Sequence, residues 1–213
     1  SSSEVSTALM GAASEEERTA GLTFPALYAL MAKAHMKKYG TTREQLASVA
    51  VKNHYHASLN PKAQYPFEIS IDKVLSSSMI SDPLTLFDSS PITDGAAAVV
   101  LSGSKKSDVF IAHAEKPQVF ISASAVASDS VVLSERESLT EVSATVRASK
   151  KAFEQSGLSQ KDIDLLEVHD CFTISEILAM EDLGFCKKGE GGKFIEQGAT
   201  KIGGKLPVNT SGG

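Results

Sequence analysis

Apolar residues recur at helical spacing in two stretches near the start of the chain and predict two α-helices. The first helix is expected to begin after Thr23, a favourable N-cap residue followed by Pro25 in the first turn, and to end at Gly40. Its apolar side comprises Leu27, Leu30, Met31, Ala34 and His35. The spacing within residues 41–44 predicts a capping box at the start of the second helix. The apolar side of that helix comprises Leu46, Ala47, Ala50, Val51 and His54.

Short apolar runs predict β-strands further along the chain. They comprise residues 96–101, 119–126, 162–168 and 205–208. Between the second and third runs, apolar residues at helical spacing predict a helix that ends at Gly157. After the third run, Ile174, Ile177 and Leu178 predict another helix, with a stop at Gly184. The alternation of strands and helices after residue 117 predicts a layered α/β domain.

The first hundred residues have a different organisation, with two helices followed by a long irregular stretch. Residues 57–91 contain few periodic signals and are interrupted by prolines. A long irregular segment in a folded domain often has a functional role. Glycine, lysine and proline cluster in residues 103–117 and predict a domain boundary there.

Composition narrows the class of protein. The chain has 213 residues, of which 42% are hydrophobic and 22% charged, an ordinary balance for a globular protein. Its net charge of -5 argues against a nucleic-acid-binding protein, which usually presents a basic surface. Two cysteines are too few for a disulfide scaffold and fit a reducing, cytoplasmic location. The sequence has no apolar run approaching the roughly 20 residues of a membrane span and no secretory signal. It begins without methionine, so we expect a processed or trimmed chain.

The segment 167–173 is the strongest candidate site, because it places His169 and Cys171 between a predicted strand and a predicted helix. Ligands bind at the carboxyl ends of strands in α/β sheets. Thr173 and Glu176 have the spacing of a capping box. The positive end of the helix dipole is expected to lower the pKa of Cys171 and to favour an oxyanion. From the residues alone, His169 is explained equally well as a structural histidine, and a small buried core thiol is the alternative interpretation of Cys171.

The other histidines predict no metal site. They are not grouped with acids or cysteines at the spacing of metal ligands, and we interpret them as surface or core residues: His35, His54, His56 and His113. Cys186 follows a predicted helix end and is interpreted as packing.

Several segments resemble the thiolase superfamily, in family order along nearly the whole chain. The most specific is His-Asp-Cys-Phe at 169–172, which resembles the sterol-carrier-protein-type thiolases and their archaeal and bacterial relatives. The others are residues 21–23, 38–44, 94–98, 156–168 and 203–213. The resemblance implies a layered α/β thiolase-fold fragment with a helical loop domain. Residues 1–92 would form that loop domain, 93–104 the last strand of the N-terminal half, and 117–213 the first part of the C-terminal half.

The resemblance also implies an activity, the Claisen condensation or thiolysis of acyl-CoA by an acetyl-CoA acetyltransferase-like enzyme. Coenzyme A thioesters would be the substrates, with no permanently bound cofactor and no metal. His169 would help form the oxyanion hole for the enolate, and Cys171 would act as the acid/base group. Asp170 would fix the turn, Phe172 would line the acyl or pantetheine channel or pack in the core, and Asn209 would support the catalytic loops.

The sequence departs from the family pattern at two functional positions. No cysteine precedes Cys171 to act as the acyl-carrying nucleophile, and the chain ends where a Gly-His-Pro motif would follow. We therefore expect residues 1–213 alone to show no thiolase turnover. A partial fold would expose the apolar face of its sheet, so we also expect association or aggregation.

Two alternative functions stay open at this point. One is a thiolase-like aldolase that acts on a β-hydroxyacyl-CoA, a class that dispenses with the cysteine nucleophile. The other is a non-catalytic CoA-binding or scaffold subunit, which the short length favours. As partners, the resemblance implies acyl-CoA, further copies of the chain in a dimer or tetramer, and in archaeal relatives HMG-CoA synthase with a small acyl-CoA-binding protein.

Overall fold

The computed structural model describes residues 2–103 and 119–213. The α-helices are α1 (Ser2–Leu9), α2 (Glu15–Thr19), α3 (Phe24–Tyr39), α4 (Arg43–Ser58), α5 (Ile71–Leu75), α6 (Ser143–Ser156), α7 (Thr173–Asp182) and α8 (Gly191–Glu196). The strands β1 (Met79–Ser81) and β2 (Leu84–Thr85) form a short antiparallel pair. Single 3₁₀ turns occur at Met10–Ala12, Leu86–Asp88, Leu133–Glu135 and Gln160–Asp162.

The two helices predicted near the start of the chain are confirmed as α3 and α4. Thr23 caps α3 by accepting a hydrogen bond from the backbone N–H of Ala26 at 3.4 Å, and Gly40 ends the helix with a φ of 76°. The capping box of α4 is formed by Thr42 and Gln45, so the predicted box at 41–44 is wrong. The hydroxyl of Thr41 is instead hydrogen-bonded to the His35 ring at 2.7 Å.

The main core lies where α7 packs against α3, α4 and α8. Helix α7 is buried nearly all round, as expected for a helix inside a layered fold. The buried apolar side chains at this centre include Ala32, Leu46, Val49, Ile174, Ile177, Leu178, Met180 and Ile195. A rigid α7 therefore carries the chain directly after residues 169–172 into the centre of the molecule. The predicted helix that ends at Gly157 is also confirmed, as α6.

The four predicted strands do not form ladders in the described residues. Residues 96–101 and 119–126 have no strand pairing, and several of their apolar side chains are exposed. Residues 162–168 and 205–208 meet through one parallel bridge, between Leu166 and Val208. A strand needs a neighbour to satisfy its backbone N–H and C=O groups, and apolar runs alone do not supply one. The predicted boundary falls largely on residues 104–118, outside the described part of the chain, as does His113.

Residues 57–91 are more regular than the sequence predicts. They contain α5, β1, β2 and the turn at Leu86–Asp88. Val74 is fully buried and packs with Ala47 and Ala50 of α4. This packing fixes the segment against α4 and directs its end, at Ser89 and Ser90, toward the candidate site.

Candidate active site

The backbone before the candidate site is held by the segment around Val208. The N–H of Leu166 donates to the carbonyl of Pro207 at 3.0 Å, and the N–H of Asn209 donates to the carbonyl of Leu166 at 2.9 Å. These two bonds lay residues 207–209 parallel to residues 166–168. The backbone of residues 166–168, which leads to His169, is therefore extended, as the sequence predicted. Within the described part of the chain it pairs only with residues 207–209, on one side and over a short length.

Asn209 connects this segment to the site through its side chain. Its φ of 53° lies in the left-handed region, which asparagine adopts more readily than most residues. In this conformation its Oδ1 accepts a hydrogen bond from the N–H of Val168 at 2.8 Å. Asn209 is fully buried. The geometry supports the predicted supporting role for Asn209, because its amide holds the residue directly before His169.

His169 and Cys171 lie on the walls of two cavities. The first cavity, of about 320 Å³, is lined by both residues together with Asp170, His54, Tyr65, Ser90, Thr93 and Ser211. The second, of about 460 Å³, is lined by His169 and Cys171 and by Tyr28, Arg136, Ser175 and Leu178. The His169 side chain is exposed, and no other described residue holds its ring by a hydrogen bond. The structure thus brings together the two residues that the sequence singled out for chemistry.

The pKa of Cys171 is raised above its ordinary value, so the expectation that the helix dipole lowers it is wrong. Cys171 is 9% exposed, and burial disfavours the charged thiolate. Hydrogen bonds with the hydroxyls of Tyr28 and Ser175 act in the opposite direction without overcoming burial. The Sγ of Cys171 lies 3.7 Å from Oγ of Ser175. At neutral pH, Cys171 is therefore a protonated thiol.

Asp170 is held from two sides at the first cavity. The Nδ2 of Asn53, on α4, donates a hydrogen bond to Asp170 Oδ2. Burial raises the pKa of the Asp170 carboxyl, and the charge of Lys52 opposes that shift. Gly213 packs so closely here that a Cβ would lie 2.8 Å from Asp170 Oδ2. This packing supports the prediction that Asp170 fixes the turn.

The start of α7 differs from the predicted capping box of Thr173 and Glu176. Thr173 Oγ1 donates instead to Asp88 Oδ1 at 2.8 Å. The N–H of Ser90 donates to the carbonyl of Cys171 at 2.9 Å, and Ser89 pairs with Phe172. The helix therefore begins against the 88–90 segment, and tertiary hydrogen bonds take the place of a local cap.

The Glu176 side chain does not form the predicted capping box, because it forms a buried ion pair with Lys52 of α4. Lys52 Nζ lies 3.0 Å from Glu176 Oε1, and the two side chains are 1% and 0% exposed. Burial raises the pKa of Glu176 to about 7 and lowers that of Lys52. Sequence reasoning missed this pair. The available signal was an acid at position 176 among Ile174, Ile177 and Leu178, since an unpaired acid is rarely fully buried.

Phe172 packs in the core and does not line either cavity. It is 4% exposed and contacts the rings of Phe24 and Tyr28, with centroid distances of 5.9 Å and 4.6 Å. Of its two predicted positions, the structure therefore shows core packing. Cys186 also packs against the core, and burial raises its pKa to about 12.

The remaining histidines in the described residues have defined partners. His35 is buried and lies 3.1 Å from Glu181 Oε2. The His56 ring is bonded to the Asn209 carbonyl at 3.0 Å. His54 lines the first cavity, and its ring contacts that of Phe67 in a tilted arrangement, with the centroids 4.9 Å apart. No group of three or more metal-ligating side chains occurs in residues 2–103 and 119–213. No helix in that part of the chain is long and apolar enough to cross a membrane.

Comparison with known proteins identifies the family. Residues 4–105 match the family model for the thiolase N-terminal domain, and residues 125–213 match the model described as thiolase C-terminal domain-like. Together the two matches cover nearly all of both described parts of the chain. The second match continues across the His169 site without a break, which places residues 169–172 in the C-terminal of the two family domains.

Similar curated proteins include enzymes and a carrier protein. An acetyl-CoA acetyltransferase of Methanothermobacter thermautotrophicus is 52% identical over 93% of this chain and 51% of its own length. Sterol carrier protein 2 of Homo sapiens is 36% identical over 89% of this chain and 35% of its own length. The benzoylsuccinyl-CoA thiolase subunit BbsB of Thauera aromatica is 38% identical over 97% of this chain and 53% of its own length. The chain thus spans about half the length of the acetyltransferase and the thiolase subunit.

A solved structure supports the fold. The Ltp2-ChsH2(DUF35) aldolase superposes with a TM-score of 0.82 at 32% identity, over 88% of this chain and 49% of that one. The predicted fold class, a layered α/β fragment of the thiolase fold with a helical loop domain, is thereby confirmed. The family profiles, the ordered motifs and this superposition agree, and the chain belongs to the thiolase superfamily.

Proposed function

We propose that this chain carries the enolate-forming side of a thiolase-type active site that acts on acyl-CoA thioesters. The observation that carries the proposal is the placement of His169 and Cys171 on the same cavity wall, at the N-terminus of α7. Acetyl-CoA acetyltransferase chemistry, the Claisen condensation or thiolysis of an acyl-CoA, is the activity that this pair supports best. The names of the archaeal relatives agree with it.

In this proposal, Cys171 moves the proton at the α-carbon of an acetyl thioester. In condensation the Cys171 thiol first gives up its proton to solvent, and the resulting thiolate takes the α-proton: the C–H bond breaks, an S–H bond forms, and the electron pair moves to the thioester oxygen. In thiolysis the thiol returns a proton to the enolate carbon. The raised pKa of Cys171 suits this second step, because it keeps the thiol protonated in the resting state.

His169 would stabilise the negative charge on the enolate oxygen. A neutral imidazole can donate one hydrogen bond from its protonated nitrogen. A donor aimed at a developing oxyanion contributes about 3–4 kcal/mol to the transition state. His169 is exposed and borders both cavities, so a thioester oxygen can approach its ring. Asn209 and Asp170 hold the backbone on either side of it.

The first cavity is our candidate for the thioester end of the substrate. Its lining combines Tyr65 with hydroxyl side chains at Ser90, Thr93 and Ser211. An apolar wall with a few polar groups is typical of small-molecule sites. Coenzyme A thioesters are therefore proposed as substrates, with no permanently bound cofactor.

The test is a Cys171→Ser variant in the complete polypeptide that carries this sequence. We expect deuterium exchange at the acetyl-CoA methyl group to fall by at least ~100-fold, the usual effect of losing a general acid/base. Radiolabelled acyl-enzyme should still accumulate, because acylation does not use Cys171. His169→Ala should slow condensation while Cys171 remains.

Cys186→Ser is the matched control, because Cys186 lines neither cavity. It should exchange deuterium at the parent rate. Parent-rate exchange by Cys171→Ser would show that Cys171 is only a packing residue and would refute its proposed role.

A second candidate function is cleavage of a β-hydroxyacyl-CoA by an aldolase. The solved aldolase with a TM-score of 0.82 favours it. The presence of both His169 and Cys171 favours the thiolase instead. Release of a carbonyl fragment from a β-hydroxyacyl-CoA, without acyl-enzyme formation, would identify the aldolase.

The finer expectations on partners and location rest on the family. We propose a homo-oligomer in the complete enzyme, a cytoplasmic location and a place in lipid metabolism. HMG-CoA synthase and a small acyl-CoA-binding protein are proposed as further partners. The exposed apolar segments at 99–101 and 119–121 support association with other protein surfaces.

A further inference from the structure

Lys52 is a fully buried cation that the proposed chemistry does not use. It lies on α4, is 1% exposed, and places Nζ 3.1 Å from Glu176 Oε2 and 2.8 Å from the carbonyl oxygen of Val208. Burying an ion pair costs several kcal/mol per ion before the partners compensate. Such a pair is weak evidence for stability, so its place in the molecule suggests another role.

The pair connects to both neighbours of His169 through two asparagines. Glu176 Oε2 accepts hydrogen bonds from Nδ2 of Asn209 and Nδ2 of Asn53, each at 3.4 Å. The Oδ1 of Asn209 accepts from the N–H of Val168 at 2.8 Å. Asn53 Nδ2 also donates to Asp170 Oδ2. One buried carboxylate therefore orients the groups that hold residues 168 and 170.

We propose that Lys52, acting through Glu176, is a positioning residue for His169. This inference rests on the proposed function in so far as His169 serves catalysis. Lys52 fixes the Glu176 carboxylate, which fixes the amide group of Asn209 with Nδ2 toward Glu176 and Oδ1 toward Val168. Without the cation, the carboxylate loses its strongest partner and the Asn209 amide can rotate. The N–H of Val168 then loses its acceptor, and the His169 backbone shifts.

The proposal predicts a charge-balance pattern among three variants of the complete polypeptide. Lys52→Met leaves Glu176 unpaired, and Glu176→Gln leaves Lys52 unpaired. Each single change should loosen residues 168–170. The double variant, with Lys52→Met and Glu176→Gln, removes both charges but keeps a side-chain carbonyl as acceptor for Asn209. The double variant should restore the ordered backbone of residues 168–170, because replacing a buried ion pair by neutral side chains often preserves the fold.

Glu181→Gln is the matched control. Glu181 is also a buried carboxylate of α7, 4% exposed, but its partners are His35 and the N–H of Gly191. It lines neither cavity and does not contact Asn209. Its replacement should reduce stability, because buried hydrogen-bond partners lose the carboxylate that they contact, without a selective effect on residues 168–170.

Amide hydrogen exchange and steady-state kinetics together give the readout. For both single variants we expect faster exchange at the N–H of Val168 and Asn209 than at interior amides of α7. We also expect kcat for acyl-CoA thiolysis to fall by roughly 10- to 100-fold, since a misplacement near 1 Å costs about 100-fold, with a smaller change in KM. The double variant should recover both properties. If Lys52→Met does not fold, Glu176→Gln and the double variant test the same expectation.

The outcomes separate this inference from the proposed function. Uniform exchange changes like those of Glu181→Gln, or an unchanged kcat in an active enzyme, would overturn the positioning role. Failure of the double variant to recover would also overturn it. Selective loosening of Val168 in a protein whose parent form shows no acyl-CoA activity would keep the link from Lys52 to Val168 and would refute the proposed function.

Discussion

At the residue scale, His56 shows how hydrogen bonds fix a single tautomer. The N–H of Ile202 donates to His56 Nε2 at 3.1 Å, so this nitrogen carries no proton. Nδ1 is then protonated and donates to the Asn209 carbonyl at 3.0 Å. The neutral ring thus holds the carbonyl of the residue whose side chain holds Val168. Burial lowers the pKa of His56 and favours this neutral form.

The His56 arrangement predicts a pH dependence of stability with a defined sign. The folded pKa lies below the unfolded value of about 6.5, so the unfolded chain binds more protons in that window. Stability contributed by His56 is therefore complete above pH ~6.5 and is lost as pH falls through the folded pKa. His56→Gln should flatten this part of the curve of unfolding free energy against pH, measured by denaturant titration. An unchanged slope in His56→Gln would contradict the assignment.

Single residues also mark where sequence reasoning stopped. The placement of His169 and Cys171 at one site could be inferred from the sequence, because the two are nearly adjacent. The pairing of Lys52 with Glu176 joins residues far apart in the chain, and periodicity within one helix contains no information about a partner on another. The predicted direction of the Cys171 pKa shift was wrong for a related reason. The effect of the helix dipole can be inferred from the neighbouring sequence, whereas burial depends on packing by Tyr28 and other residues distant in the chain.

At the element scale, the helices with clear local caps and stops were predictable, whereas α5, α8 and the strands were not. Caps and glycine stops act within a few residues, so the bounds of α3 and the ends of α6 and α7 follow from Thr23, Gly40, Gly157 and Gly184. Strands depend on a neighbour that the local sequence does not specify. The start of α7 is an intermediate case, since its position was predicted but its capping partner lies on the 84–90 segment.

That partner gives an element-scale prediction. Asp88 is 5% exposed and accepts hydrogen bonds from Thr173 Oγ1 and from the N–H and Oγ1 of Thr85, each at 2.8 Å. Asp88→Ala leaves these buried donors unpaired, at about 1–3 kcal/mol for each such group. We expect the free energy of unfolding to fall by more than about 1 kcal/mol, with faster exchange at the Ser90 N–H that donates to Cys171.

The surface pair of Lys33 and Asp82 provides the control for Asp88. Lys33 Nζ lies 2.8 Å from Asp82 Oδ2, but the two side chains are 53% and 66% exposed. An exposed pair contributes about 0–1 kcal/mol, so Asp82→Ala should change the unfolding free energy little. Equal losses in the two variants would show that Asp88 has no special role at the start of α7.

At the scale of the whole molecule, the exposed apolar segments stand apart from the rest of the surface. Val99 and Val100 are 82% and 98% exposed, and Val119 and Phe120 are 94% and 72% exposed. Both segments were predicted as strands, and in the described residues neither has a strand partner. Contiguous apolar side chains on a surface favour association, and unpaired backbone groups beside them can pair with another chain. Within residues 2–103 and 119–213, the two segments therefore favour an interaction for which no strand partner is present.

We accordingly expect a preparation of residues 1–213 to associate, through these segments in particular. Light scattering should show species larger than the 22.5 kDa chain. A double variant with Val100→Lys and Phe120→Lys should shift the distribution toward monomer, because charges on an unpaired strand oppose edge pairing. Leu59→Lys is the control, since Leu59 is 56% exposed but lies outside both segments and should leave association unchanged. A monodisperse monomer with a cooperative melt would contradict the expectation. If Leu59→Lys shifted the distribution toward monomer as much as the double variant, the contact would lie elsewhere. Only association through these two segments depends on which apolar side chain receives the charge.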